Sequence, residues 1–529
     1  MNAVDFEAAI DKVVARYDRT DGPGLSVGVL QNGEVKFSKG YGLADVKRQA
    51  PNAPGTPMRI ASLSKQFLCA VVAMLHNEGA LSIHDDIRAH IPTLPDYGRR
   101  ITLAHLMSNQ SGIRDFLELH LLSGGSFAEH RSAESCLDLV RSVQGLNFEP
   151  GSDFAYSNTG FMLLTGVVEA IEGRPLEESL EARIFGPLAM RSTRLVRCDD
   201  PPIPNRALPY VETAKGLEPG LWGIPLDGAG GVVSTVDDLM IWAQNLRSPR
   251  VGNAKMFAAM TTASPFADGS PSIYGYGFSA LTYRGQRTFG HHGQLPGLFA
   301  EIASFPELDT TIALIANTSA LNPFVIGRQI ADAILGDRLE PKAPDPRGAT
   351  LDGVYHDATR DAVLELTHAP DGTVVATTAM MDAPLTAVAP GRFGMMWPMS
   401  ALDLALDDDA LTGSAGPRPA HFTKLRPFRP LAGASNQSGR FFQADLRSVW
   451  ALVETEDGPL FRIAGPLGAS EFDLHPLAPN LFQARMREEP CGPYRPILRL
   501  ETRDGRRLLT ITTDRTFGLS ANEVVASEQ

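Results

Sequence analysis

The chain has 529 residues, a hydrophobic share of 43%, a charged share of 21% and a formal net charge of −13. These are the numbers of a soluble globular protein too long for one small core, so several domains are expected. The negative balance argues against a nucleic-acid surface and against docking on anionic lipid.

The four cysteines, Cys69, Cys136, Cys198 and Cys491, form no CxxC pair and no metal-like spacing with histidine. Free thiols in a reducing compartment are expected. The first residues, Met1-Asn2-Ala3-Val4-Asp5-Phe6-Glu7, lack the basic start and apolar core of a signal peptide. The longest apolar run, Phe67 to Leu75, is too short to span a bilayer. A cytoplasmic protein is expected.

In chain order, residues 3–17 carry helical periodicity. Leu25 to Leu30 and Glu34 to Phe37 read as strands flanking Gln31-Asn32-Gly33, a strong hairpin signal. A helix is predicted over 62–79, then loops and shorter helices to residue 186. Ser234-Thr235-Val236-Asp237-Asp238 reads as a helix start leading into Leu239-Met240-Ile241-Trp242. Strands at 298–305 and 310–317 precede a helix at 322–335. An antiparallel sheet mixed with helices gives an α+β class rather than an alternating βα one.

Residues 338–348, rich in proline and charge, read as a linker after a first domain over 1–337. Beyond it helical periodicity vanishes and short alternating runs take over. Gly353-Val354-Tyr355 is followed by Asp371-Gly372, and Gly439-Arg440-Phe441 by Asp457-Gly458 at the same spacing. This echo predicts two related β modules, 349–430 and 431–529, each a small antiparallel barrel.

Three short elements carry chemistry. In Ser62-Leu63-Ser64-Lys65 a serine at a helix start sits in the positive field of the helix N-terminus, and the lysine lies one turn on. The amine can reach the hydroxyl, which gives a nucleophile with a base beside it. Such a tetrad also arises by chance, and serine is an ordinary helix cap. In Tyr156-Ser157-Asn158 a loop tyrosine can transfer a proton if a cation is near, and the asparagine can hydrogen-bond the lysine and a substrate amide. Taken singly, a buried structural tyrosine is the simpler reading. In Gly290-His291-His292-Gly293 a strand would put His291 and Gly293 on one face, with glycine letting a substrate backbone approach and His292 turned away. A His-His pair without a third ligand nearby is a poor metal site, so no metal and no cofactor are expected.

Together, in this order, these elements resemble the serine β-lactamase and penicillin-binding superfamily, in the branch whose third motif is His-x-Gly rather than the lysine type. Asn109-Gln110-Ser111-Gly112-Ile113-Arg114-Asp115, Phe148-Glu149-Pro150-Gly151 and Gly230-Gly231-Val232-Val233-Ser234-Thr235 extend the resemblance over residues 10–336. With two β-barrels after the catalytic domain, the whole chain is most similar to the bacterial D-aminopeptidases.

The resemblance implies that Ser62 forms an acyl-enzyme and that Lys65, Tyr156 or both accept its proton. It implies an oxyanion hole from the backbone N–H groups of Ser62 and Gln294, substrate positioning by Asn158, and a catalytic His291 beside Gly293. A mostly neutral His291 would clamp a carboxylate less well than a lysine, which favours esters, amides and N-terminal residues. An aminopeptidase also needs an anion for the substrate ammonium. The charged loop 485–494 offers Glu488 or Glu489, with a solvated surface turn as the alternative.

The expected activity is release of small N-terminal D-residues of the D-Ala, Gly or D-Ser type. The alternatives are a carboxylesterase or β-lactamase-like hydrolase of other specificity, and a non-turnover penicillin-binding or sensor protein. The chirality rests on resemblance alone. The expected partners are a small peptide, amide or ester substrate, with no nucleic acid and no membrane, and a homodimer if the chain assembles.

Overall fold

A computed structural model describes residues 3–197, 202–342, 351–389, 391–395, 401–407, 409–428, 437–487 and 494–524. The chain forms two compact units. The first comprises Met1–Pro92, Arg100–Ser111 and Gly160–Pro341; the second comprises Thr93–Arg99, Gly112–Thr159 and Lys342–Gln529.

The first unit is built on a six-stranded antiparallel sheet. Its strands are β1 (Leu25–Gln31), β2 (Glu34–Tyr41), β3 (Ser279–Tyr283), β4 (Gln286–Leu295), β5 (Leu298–Phe305) and β6 (Thr310–Ala316), in the order β3-β4-β5-β6-β1-β2. The amino-terminal hairpin thus pairs with the last strand, Leu25 opposite Ala316. Its turn has positive φ at both Asn32 (52°) and Gly33 (77°), the conformation that makes Asn-Gly a hairpin signal.

Leu25, Val27 and Val29 of β1 share a core with Ile10 and Val14 of α1 (Ala3–Val14) and with Ile326 and Ile330 of the late helix Pro323–Leu335. Gly28 faces the other way, where an added Cβ would lie 2.5 Å from Val236 of the helix Val236–Arg247. Helices therefore cover both faces, and every residue of β6 is buried. That explains why Ile312–Ala316 is a continuous apolar run rather than an alternating one.

The predicted helix at 62–79 spans Ser64–Asn77 (α2), preceded by a single 3₁₀ turn at Ala61–Leu63. Residues Ser64 to Leu75 are all buried, so α2 is enclosed on every side. The predicted helix start at 234–238 opens the helix Val236–Arg247, whose cap is Thr235 with its side chain accepting from Asp238 N.

In the second unit, residues 353–424 form a nine-stranded antiparallel sheet. Its edge strands, Asp382–Pro384 and Thr386–Ala389, are separated only by Leu385, so the sheet curls almost into a barrel. Residues 439–523 form an eight-stranded closed barrel, sealed where Phe441 pairs with Glu523. The echo between the modules is visible in register: Gly353 pairs with Leu366 as Gly439 pairs with Leu452.

The barrel core of Phe441, Trp450, Phe461 and Phe472 is shared by Leu119, Leu121 and Leu122 of the helix Phe116–Leu122. The Trp450 indole N–H donates to Leu122 O at 3.2 Å. Burial of this helix ties 112–159 to the last barrel, a long-range association with no local sequence signal. Among the described residues, no helix is long and apolar enough to cross a membrane.

Candidate active site

In the first unit the tetrad is held by its own middle residue. The Ser64 hydroxyl donates to Ala61 O at 2.6 Å and accepts from Val232 N at 3.0 Å, while Ile60 N donates to Val232 O at 3.0 Å. The short strand Val232–Ser234 thereby fixes the turn that presents Ser62. Ala61, one residue before the serine, has φ +46°, a left-handed conformation that costs a non-glycine residue energy and is sustained by this clamp. Ser62 is half-buried and lies in the 3₁₀ turn rather than at the cap of α2.

Lys65 is completely buried. Its Nζ lies 3.0 Å from Ser62 Oγ and 2.6 Å from Ala229 O, and 4.9 Å over the Phe161 ring. A neutral amine here can donate to Ala229 O and still present its lone pair to the serine hydroxyl; an ammonium can donate to both. Cys69, one turn further along α2, is buried and its thiol is pushed up by that burial, so it stays protonated.

The third motif lies on β4. His291 is buried, with Nδ1 2.5 Å from His292 O and Nε2 2.7 Å from the Tyr274 hydroxyl. A carbonyl can only accept, so Nδ1 carries the proton and Nε2 accepts from Tyr274. Burial first, then His292 and Lys65, hold His291 well below the usual imidazole range, so it is neutral at pH 7. His292 is buried too and stacks on His291 with centroids 5.4 Å apart, so it is not turned out to solvent.

A Cβ on Gly293 would lie 2.1 Å from Ile60 O and 3.0 Å from Ala61 Cβ, so the glycine admits the turn that carries Ser62, packed against β4. Gln294 follows on the same strand, opposite Phe299.

Tyr156 and Asn158 belong to the second unit. Asp115, fully buried, caps the helix Phe116–Leu122 through Leu117 N. Its other oxygen accepts from Asn158 N at 2.5 Å and Asn158 Nδ2 at 3.1 Å, which fixes which end of the amide is oxygen. Thr159 Oγ1 donates to Arg114 O and accepts from Phe116 N, both at 2.8 Å. Tyr156 is buried, with the Arg515 guanidinium carbon 5.3 Å from its ring centroid.

Sequence reasoning gave no role to Asp115, Tyr274, Ala229 or Arg515. An aspartate directly before an apolar run marks Asp115 as a cap; the others carry no local signal. Glu488, Glu489, Cys198 and Cys491 lie outside the described residues, as does most of the 485–494 loop. Cys69 and Cys136 are buried. Among the described residues, no three His, Cys, Asp or Glu side chains are grouped to hold a metal ion.

The fold of the first unit and a lysine paired with a serine at a strained turn define a class. The Beta-lactamase family matches residues 6–337, and the chain belongs to that family. It is a serine hydrolase. Over 484 residues it is 28% identical to the D-aminopeptidase of Cereibacter sphaeroides, covering 89% of this chain and 90% of that protein. Over 377 residues it is 29% identical to the D-aminopeptidase of Gluconobacter oxydans, 69% of each. The D-amino acid amidase of Ochrobactrum anthropi SV3, complexed with L-phenylalanine amide, superposes with a TM-score of 0.55 at 24% identity, covering 63% of this chain and 99% of that one. The octameric penicillin-binding protein homologue of Pyrococcus abyssi covers 99% of this chain and is itself covered completely, with a TM-score of 0.56 at 18% identity. At these identities the two structures report a shared fold.

Proposed function

We propose that this protein releases small N-terminal D-residues, of the D-Ala, Gly or D-Ser type, from peptides, amides or esters through an acyl-enzyme on Ser62. The observation that carries the reading is Lys65 Nζ, completely buried and 3.0 Å from Ser62 Oγ. In the first step Ser62 Oγ bonds to the substrate carbonyl carbon and its proton passes to Lys65 or Tyr156. That proton then goes to the leaving amine or alcohol as the scissile bond breaks. Water next attacks the acyl carbon, giving its proton to the same base; the ester bond to Ser62 Oγ then breaks, that proton passes to Oγ, and the free acid leaves. In this reading Asn158 positions the acyl group, and the backbone N–H groups of Ser62 and Gln294 stabilise the oxyanion.

Two further points support the choice of substrate. His291 is held neutral, so the third motif offers no cation for a C-terminal carboxylate. The relatives similar over most of the chain are D-aminopeptidases. Glu488 or Glu489 would bind the substrate ammonium. If so, deletion of 486–492 reduces D-alanine-amide hydrolysis; unchanged hydrolysis removes that assignment.

The deciding assay compares D-Ala-, L-Ala- and acetyl-D-Ala-p-nitroanilide with a simple p-nitrophenyl ester, using Ser62→Ala as control. Hydrolysis of D-Ala-p-nitroanilide in preference to the others is expected. Cleavage of the ester alone would instead make the protein a carboxylesterase.

A further inference from the structure

The last link of the closed barrel does more than join two strands. Strands Arg506–Thr512 and Leu519–Glu523 are connected by Thr513–Gly518, in which Thr513 and Thr516 are buried. Thr513 Oγ1 accepts from Arg515 N at 3.1 Å and Thr516 N at 2.9 Å, and Thr513 N donates to Thr516 O at 2.7 Å. The link is also tied to the segment before Tyr156. Asn147 Nδ2 donates to Arg515 O at 2.6 Å, Asn147 Oδ1 accepts from Phe517 N at 3.0 Å, and Arg114 donates to Phe517 O at 3.1 Å. Its backbone is therefore held on both sides of Arg515.

From this fixed base the Arg515 side chain, only 13% exposed, runs inward. Its guanidinium carbon lies 5.3 Å from the Tyr156 ring centroid and Nη1 lies 3.6 Å from Asp115 Oδ1. Asp115 in turn holds both nitrogens of Asn158. One cation thus touches Tyr156 directly and Asn158 through a single carboxylate.

We propose that Arg515 is a positioning residue for acyl transfer: the fixed cation that holds Tyr156 towards its phenolate and, through Asp115, sets the orientation of Asn158. The inference rests on the reading that Tyr156 and Asn158 serve the Ser62 chemistry. A phenol serves as a base at neutral pH only with a cation close by, and within the second unit the Arg515 guanidinium carbon lies 5.3 Å from the Tyr156 ring centroid. Among the described residues of the second unit, the groups facing this site include Arg515, Arg114, Asp115, Glu118, Asp514 and Tyr494.

The two carboxylates nearest the guanidinium do not cancel it equally. Asp115 is engaged by Asn158 and Leu117, whereas Glu118 shares the single hydroxyl proton of Thr513 between its two oxygens and is pushed up to about 7 by burial. Burial alone would weaken Arg515 as a base, but Asp115, Glu118 and then Tyr156 hold its proton on. By linkage, a phenolate that favours the charged guanidinium is itself favoured by that guanidinium.

The test uses the full chain and whichever chromogenic substrate it hydrolyses, with Ser62→Ala and Tyr156→Phe as controls. If both controls lose activity, the underlying reading stands and Arg515 is tested separately. Arg515→Met is then expected to lower kcat about tenfold or more, with KM changed less than about threefold. Its acidic limb of kcat/KM should move up by about one pH unit, because losing the cation favours the protonated phenol. Arg515→Lys should restore most of kcat and return the limb. A folded Arg515→Met with an unmoved limb, or a loss that lysine does not relieve, overturns the proposal and leaves Arg515 a structural residue. Full activity in Tyr156→Phe alongside a dead Ser62→Ala removes the role of Tyr156 and that of Arg515 with it.

A measurement that needs no arginine variant guards against misfolding. The ¹³Cζ resonance of Tyr156, assigned by its absence in Tyr156→Phe, should titrate in the unmodified protein below the ordinary tyrosine value of about 10. Titration at or above that value overturns the proposal.

Discussion

One oxygen of Asp115 accepts both the backbone N–H and the side-chain amide of Asn158, at 2.5 and 3.1 Å. The first residue of the helix Asn158–Glu172 is therefore set by a carboxylate 43 positions earlier in the chain. Charge-assisted bonds to a buried carboxylate are among the stronger ones, and a single group making two of them leaves the asparagine one orientation.

Asp115→Ala removes this anchor and leaves Arg515 beside a vacated charge. The expected outcome is a loss of about 3 kcal/mol in stability, from two charge-assisted bonds, measured by urea denaturation. kcat/KM should fall about a hundredfold as Asn158 loses its fixed orientation, measured by steady-state kinetics. A variant as active as the parent would separate Asp115 from the site.

Lys65→Met removes the amine while filling much of its space against Phe161. Ala229 O loses its donor, so a stability loss of about 1–3 kcal/mol is expected. Turnover should fall about a thousandfold or more, because the serine has lost the amine 3.0 Å away. Comparing the pre-steady-state burst of the two proteins checks that the lost step is acylation.

Gly293→Ala puts a methyl group 2.1 Å from Ile60 O, a backbone atom that cannot swing aside. Either β4 or the turn carrying Ser62 must shift. Overpacking of this kind costs about 1–3 kcal/mol, and a displacement near 1 Å at the nucleophile costs about a hundredfold in rate. Thermal denaturation and kcat read the two effects separately, and a silent substitution would show that the strand and turn are not tightly packed.

Glu118 makes stability depend on pH. Its carboxyl is raised by burial from 4.5 to about 7 in the folded chain, against the opposing pull of Arg515 and Thr513. Between these values the folded state holds the proton that the unfolded state has released. Its contribution is complete below pH 4.5 and is lost as pH rises towards 7. Glu118→Gln should flatten this slope and stabilise the protein above pH 7 by about 1–3 kcal/mol, relative to its effect at pH 4. Urea midpoints at pH 4 and 8 check the sign.

What the sequence revealed and what it hid divide along contact range. The Asn32-Gly33 hairpin, the Ser62–Lys65 turn and the strand through His291 depend on residues within a few positions of one another, and local spacing exposes them. The Ala229 carbonyl that accepts from Lys65 lies 164 positions away, and no side chain marks it. Tyr274 orients His291 from an irregular segment before β3. Arg515 sits in a hairpin link that reads as an ordinary polar turn, and its meaning arises only when the helix Phe116–Leu122 enters the core of the last barrel. Gly293 marks a close approach, and the Ile60 backbone that it admits lies more than 230 positions away with no local signal.

In the proposed reaction Ser62 carries the acyl group. The most direct measurement is acid quenching during turnover of a chromogenic ester or D-alanyl anilide, followed by peptide mapping by mass spectrometry. The expected result is an acyl mass increment on the peptide containing Ser62, accumulating in the parent and absent from Ser62→Ala, which is inactive. An increment on another residue, or undiminished turnover by Ser62→Ala, would contradict the account.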